Sequence, residues 1–200
     1  MAPGLSKYMT NDELKTEFRD LKLKVINSEL KFNVNKSVAN QLSKELEFVS
    51  KEFGSDILSG SIVLKLYGLL RRDINDIDIL IDDKSRYSGY SIGGYDEDSV
   101  PNRLGKKTFF YKKGFFSRKK EYNVDFFENT DAPYDLVKIG DKTFKLHNPF
   151  DIINYKMSMI LSSTSSVDSS RKHNEDLSSI FRHFGLLDHV NDYHNMLDNI

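Results

Sequence analysis

The chain has no cysteine among its 200 residues, and its 29 basic and 30 acidic side chains leave a formal charge of -1. Without cysteine there is no disulfide framework, thiol nucleophile, iron–sulfur cluster or cysteine-based zinc site. No apolar run approaches the ~18–20 residues needed to cross a bilayer. The opening MAPGLSKYMT has neither the basic nor the apolar region of a signal peptide. The charge balance argues against a surface that is a nucleic-acid magnet throughout, but leaves room for a local patch. What the chain does have is fourteen Phe, ten Tyr and 38% hydrophobic residues. That supplies enough apolar surface for a real core and excludes wholesale disorder. The expectation is a soluble, cytoplasmic, globular protein without a membrane partner.

Periodicity gives the outline. Leu14, Phe18, Leu21 and Val25 share a helical stripe within 11–31, with Asn11 as the expected N-cap and Glu13 in the first turn. A second helix is expected over 35–53, with Val38, Leu42, Leu46 and Val49 on one face and Gly54 closing it. After Ser59-Gly60-Ser61 an apolar stretch over 62–70 has a helical pattern, and DIDILID at 76–82 alternates as a strand does. The segment 84–102, rich in Ser, Gly, Tyr and Asp, is expected to be a mobile loop. Strands at 107–112 and 121–127 form a hairpin around Gly114, and a smaller hairpin spans 135–146 with its turn at Gly140-Asp141. Asn148-Pro149-Phe150-Asp151 opens another helix. A serine-rich break at 162–170 leads to a last helical region. The resulting division is N-terminal helices at 1–54, a core at 55–147 and a C-terminal helical region at 148–200. This order suggests α+β or α/β.

The chemistry-bearing residues concentrate around one strand. Asp76 and Asp78, at i and i+2, project from the same face with Cα atoms ~6.6 Å apart. Ile77, Ile79 and Ile81 turn into a core. Two adjacent like charges repel, so the pair is either a cation site or two solvated aspartates on an edge strand. Hard oxygen ligands on a rigid strand suit Mg²⁺. Asp125 is a lone acid inside Tyr122-Asn123-Val124-Asp125-Phe126-Phe127. If that strand neighbours the first, three carboxylates converge as a two-metal ligand set would. Gly60 lets backbone approach a phosphate closely, and Ser61 adds a hydroxyl where the next helix begins.

The segment LSGSIVLKLYGLLRRDINDIDILI resembles the signature of the minimal nucleotidyltransferases, the superfamily similar to DNA polymerase beta. Fourteen residues separate Ser61 from Asp76, slightly long for that pattern, which implies a small extension around Arg71–Asn75. The resemblance implies an α+β nucleotidyltransferase fold, a mixed sheet carrying the Asp-x-Asp strand and a third Asp strand, flanked by N- and C-terminal helices. It implies Asp76, Asp78 and Asp125 as catalytic ligands of two Mg²⁺ ions, with Mn²⁺ as the alternative ion. Asp125 would also help deprotonate an acceptor hydroxyl, and Gly60 and Ser61 would hold a nucleoside triphosphate. TFKLHNPFDIINYKMSMI and RKHNEDLSSI resemble the abortive-infection toxin (AbiEii) branch. On that resemblance Lys156 contacts the triphosphate, Lys172 and Asp176 form the last motif with Glu175 as the alternative acid, and an antitoxin-like partner is implied. The alternatives to these roles are that Lys156 is a solvated helix face and that Lys172 with Asp176 is an ordinary i, i+4 surface ion pair.

From Arg103 to Lys120 there are eight basic residues and no acid, interleaved with Phe109, Phe110, Tyr111, Phe115 and Phe116. This is either a surface for an RNA or tRNA acceptor or a hairpin with core aromatics and edge-protecting lysines. The function expected from all of this is transfer of a nucleoside monophosphate to an acceptor hydroxyl, with pyrophosphate released. The alternatives are a non-catalytic nucleotide- or nucleic-acid-binding module and an enzyme acting on a small molecule of antibiotic type.

Overall fold

The protein was analysed as a computed structural model that describes residues 9–27, 29–83, 103–111, 120–128, 131–161 and 167–186. In chain order these form α1 (Asn11–Ile26), α2 (Lys36–Gln41), α3 (Ser43–Phe53), β1 (Ile57–Ser59), α4 (Gly60–Leu66), β2 (Ile77–Ile81), β3 (Arg103–Tyr111), β4 (Lys120–Glu128), β5 (Tyr134–Ile139), β6 (Lys142–His147), α5 (Pro149–Leu161) and α6 (Val167–His183). The architecture is α+β, with a six-stranded mixed open sheet in the order β3-β4-β2-β1-β6-β5. Chain contacts divide it into two compact units, Val34–Ile152 and Met1–Asn33 with Ile153–Ile200. Among the described residues no helix is long and apolar enough to cross a membrane. The expected loop at 84–102 and the expected turn at Gly114 lie outside the described residues.

The sheet unit is built around aromatic packing. Tyr122, Val124 and Phe126 of β4 are buried, and α3 covers them with Phe48 and Phe53. Phe48 stacks on Tyr122 at 4.4 Å between centroids, and Phe53 meets Phe126 edge-on at 5.7 Å. Phe109 of β3 completes the cluster, 5.5 Å from both α3 rings. Such pairs each contribute roughly 0.5–1.5 kcal/mol beyond area burial. Lys120 ties the start of β4 to α3 through an ion pair with Glu45. The expected helix over 35–53 is two elements, because Leu42 (φ -89°, ψ 14°) leaves helical geometry between them. Hydrogen bonding continues through the bend, with Leu42 N–H on the Val38 carbonyl and Leu46 N–H on the Leu42 carbonyl, both at 2.9 Å. Asn35 caps α2 by accepting from the Ser37 and Val38 N–H groups at 3.0 and 3.2 Å.

The smaller hairpin turns at Gly140 (φ +64°). At the start of α5, the Asn148 side chain accepts from the Phe150 N–H at 2.9 Å. That is the Asn cap with Pro149 at the first helical position.

In the helical unit, the N-cap of α1 is Thr10 rather than Asn11. Thr10 Oγ1 accepts from the Glu13 N–H at 3.3 Å, and Glu13 Oε2 accepts from the Thr10 N–H at 2.7 Å. A threonine followed three residues later by glutamate satisfies two orphan donors at once, which Asn11 could not do with Leu14. Asn174 of α6 also holds the chain just before α1, with its side chain bonded to the Met9 N–H and carbonyl at 3.0 and 2.7 Å.

Candidate active site

The sheet's register decides which side chains meet. β2 and β4 are parallel neighbours, with Ile77 opposite Val124, Asp78 opposite Asp125 and Ile79 opposite Phe126. Ile77, Ile79 and Ile81 are buried while Asp78 and Leu80 are half-buried, so alternation sends Asp78 to the face opposite the isoleucines. Directly paired residues share a face, which places Asp78 and Asp125 side by side on adjacent strands. Asp76 lies one residue before β2 and is half-buried. It continues the same alternation two positions from Asp78. On the other side of β2, Ser59 of antiparallel β1 stands opposite Asp78.

Gly60 follows Ser59 at the β1–α4 junction with φ +68°, and an added Cβ there would lie 1.6 Å from Asp78 Oδ2. Two requirements coincide. The backbone is left-handed, and the Asp78 carboxylate occupies the space a side chain would take, so only glycine fits. Ser61 is buried, and its Oγ accepts from Arg72 Nη2 at 2.8 Å. The hydroxyl keeps its own hydrogen to donate. The helix that follows is seven residues long, ending at Leu66 rather than Leu70. Beyond it, the extension expected around Arg71–Asn75 is pinned back to α4. Lys65 Nζ donates to the Arg72 carbonyl at 2.8 Å and lies 3.5 Å from Asp73 Oδ1.

On the outer side of Asp125, β3 pairs antiparallel to β4 with Lys106 opposite Asp125. Lys106 Nζ is 3.9 Å from Asp125 Oδ1. Further along, Thr108 Oγ1 donates to Asn123 Oδ1 at 2.8 Å, and Phe110 stands 60% exposed. The basic-aromatic segment is therefore mixed in its described part: Phe109 is in the aromatic cluster, Phe110 is on the surface, and Lys106 is at a carboxylate. Residues 112–119 lie outside the described residues.

His147 enters from β6, its Nδ1 2.8 Å from Ser59 Oγ. Burial pushes its pKa below the ordinary 6.5, with Asp151 pulling the other way. Tyr67 is buried, and burial with the nearby Asp135 pushes its phenol up to about 12.

In the helical unit, Lys156 of α5 and Asp176 of α6 form a salt bridge at 2.8 Å, their side chains 6% and 1% exposed. His173 Nδ1 is 3.5 Å from the same ammonium. Lys156 is thus no solvated helix face. Asp176 pairs with Lys156 rather than with Lys172, which is half-buried. Glu175 faces Arg171 at 3.7 Å, so Asp176 is the inward acid of the two alternatives.

The structure thus brings Gly60, Asp78 and Asp125 together in one unit, with Ser61 next in the chain. It brings Lys156 and Asp176 together in the other. Arg72, Lys106 and His147 are site neighbours that sequence reasoning did not single out. For Lys106 the alternation within β3 carried a signal, and for Arg72 its place in the extension before Asp76 did. His147 offered none.

Carboxylate oxygens on paired positions suit a hard divalent cation, since two such charges held side by side repel without one. Among the described residues no three acidic or histidine side chains are gathered into a ready-made cage. The fit therefore rests on the donor chemistry of Asp78 and Asp125, with Asp76 flanking. No family model, curated protein or solved structure matches the chain.

Proposed function

We propose that the protein is a Mg²⁺-dependent nucleotidyltransferase. The observation that carries this reading is the pairing of Asp78 with Asp125 in adjacent parallel strands, with the bare backbone of Gly60 against the Asp78 carboxylate. Asp76, Asp78 and Asp125 are the residues that would hold divalent cations. When bound, these supply charge neutralisation at the phosphates and at the developing alkoxide.

The chain's own residues then have separable tasks. Gly60 admits the phosphates of a nucleoside triphosphate close to the main chain, and Ser61 donates its hydroxyl hydrogen to a phosphate oxygen. Arg72, already on Ser61, adds a fixed positive charge beside that turn. Asp125 accepts the proton of the acceptor hydroxyl. The acceptor oxygen bonds to the α-phosphorus as the bond to the bridging oxygen breaks, and pyrophosphate leaves with the electron pair. Lys156 and Asp176 enter this reading as one ion-paired unit, with Lys172 beside them in sequence, and the proposal does not depend on them. An RNA or tRNA end is the acceptor favoured by the basic residues of 103–120, and an antitoxin-like protein is the partner the reading implies.

The test is transfer of label from each α-³²P nucleoside triphosphate onto total RNA, total protein and a panel of aminoglycosides, with Mg²⁺. Wild type should label one acceptor class, and Asp78→Asn should reduce labelling at least about a thousandfold while its melting curve stays cooperative. Label that persists in Asp78→Asn overturns the proposal. So does a wild type that labels nothing and binds no triphosphate, and a binding module is then the better account.

A further inference from the structure

Lys106 is set against the third carboxylate in an unusual way. Its side chain is 34% exposed, that of Asp125 8%, and the 3.9 Å between Nζ and Oδ1 exceeds hydrogen-bonding distance. The contact is one of charge rather than of locked geometry. The next residue, Lys107, turns to the opposite face of the sheet, where its Nζ lies 5.4 Å from the centre of the Phe109 ring. Alternation thus separates two adjacent lysines, one at the carboxylate and one on the core aromatics.

We infer that Lys106 is the resident counter-ion of Asp125: it neutralises the third carboxylate before a divalent cation is loaded and is displaced when the cation takes that carboxylate. The inference rests on the reading of Asp76, Asp78 and Asp125 as cation ligands. Its physical basis is the Asp78–Asp125 register pair. Two carboxylates on directly opposed positions repel, and an ammonium on the third strand relieves that repulsion while no metal is present. Lysine suits the task because its four-carbon stem can swing out without moving the backbone. A guanidinium fork bound through two hydrogen bonds would be harder to displace. The ammonium and the incoming cation compete for the same oxygens, so Lys106 weakens cation binding. In exchange it lowers the electrostatic cost of a largely buried carboxylate in the cation-free sheet.

Mn²⁺ titration of the full chain, followed by electron paramagnetic resonance without nucleotide, tests this directly. Lys106→Gln should bind Mn²⁺ roughly tenfold more tightly than wild type, because a positive charge ~4 Å from a ligand repels a divalent ion twice as strongly as a monovalent one. Lys107→Gln should stay within about twofold of wild type, because it removes a charge that faces away, and Lys106→Arg, which keeps the charge on a group that is harder to displace, should bind no more tightly than wild type. The wild type needs no variant for the second measurement. Reductive methylation read by mass spectrometry should find Lys106 more reactive in saturating Mg²⁺, with Lys107 unchanged.

Mn²⁺ binding that depends on Asp78 but is no tighter in Lys106→Gln overturns the counter-ion role and leaves the cation site standing. Lys106 reactivity that does not respond to Mg²⁺, in a protein that binds Mg²⁺, overturns it equally. If Asp78→Asn binds Mn²⁺ as wild type does, both the inference and the reading beneath it fail.

Discussion

At the scale of single residues, the tightest constraint in the sheet unit is Gly60. A methyl group there would need the space held by Asp78 Oδ2 and would also fix an unfavourable left-handed backbone. Gly140 is the natural control, because its φ is +64° but a Cβ would meet nothing within 4 Å. Gly140→Ala should therefore cost only the backbone term, about 1–2 kcal/mol. Gly60→Ala should cost at least about 2 kcal/mol more, since the Asp78 carboxylate or the β1–α4 turn has to move. Urea denaturation of both variants measures the difference. Mn²⁺ titration of Gly60→Ala should also show weakened binding, whereas Gly140→Ala should bind as wild type does. Equal destabilisation of the two would mean that the Asp78 contact with Gly60 carries no energetic weight. Sequence alone offers Gly60 as a point where backbone can approach a ligand closely, without saying what lies against it. The left-handed φ and the carboxylate against it exist only once β1 and β2 are paired.

At the scale of elements, α5 and α6 are joined by the Lys156–Asp176 bridge, with both side chains almost wholly buried. Taking one partner away leaves an uncompensated buried charge, which costs about 3–5 kcal/mol. Lys156→Met and Asp176→Leu should each destabilise by that order. The double variant should recover most of the loss, because two apolar side chains replace a pair whose attraction only roughly balances its desolvation. A double-mutant cycle from chemical denaturation gives the coupling. Additive losses would show that the two groups do not act as a pair.

The elements themselves are the part of the fold most legible in the chain. DIDILID alternates because β2 has one core face, and Asn148-Pro149 starts α5 because a cap is a local device. The misread features are those that depend on partners or on a precise local exchange. Thr10 and Glu13 satisfy each other's backbone groups and so displace Asn11 as the cap. Lys156 is a charged residue on a helix, and nothing local distinguishes a solvated lysine from one that meets an aspartate twenty residues on.

At the scale of the whole molecule, the site depends on register between strands far apart in the chain. Asp78 and Asp125 are separated by the segment that includes 84–102, and periodicity within each strand cannot say that they pair. A slip of one residue in β4 would turn Asp125 toward the aromatic cluster and bring Val124 or Phe126 to the acidic face. Phe48, Phe53 and Phe109 prevent that slip, since they accept Tyr122 and Phe126 but not a carboxylate.

Global stability carries one further signature of this arrangement, at His147 behind Ser59. Burial holds its pKa below the ordinary 6.5, so the folded protein keeps the imidazole neutral where the unfolded chain would protonate it. Between the two pKa values the unfolded state binds more protons, and stability rises with pH. The contribution is complete above 6.5 and falls as the pH drops from there toward the lower folded value, below which it changes no further. His147→Asn removes the titrating group while keeping a hydrogen-bonding side chain for Ser59. Urea midpoints at a series of pH values should show a smaller decline in His147→Asn than in wild type below 6.5. The carboxylates contribute equally to both proteins and cancel in the comparison. Parallel pH profiles would mean that His147 titrates alike in the folded and unfolded chains, and its bond to Ser59 would then be a surface contact without linkage to folding.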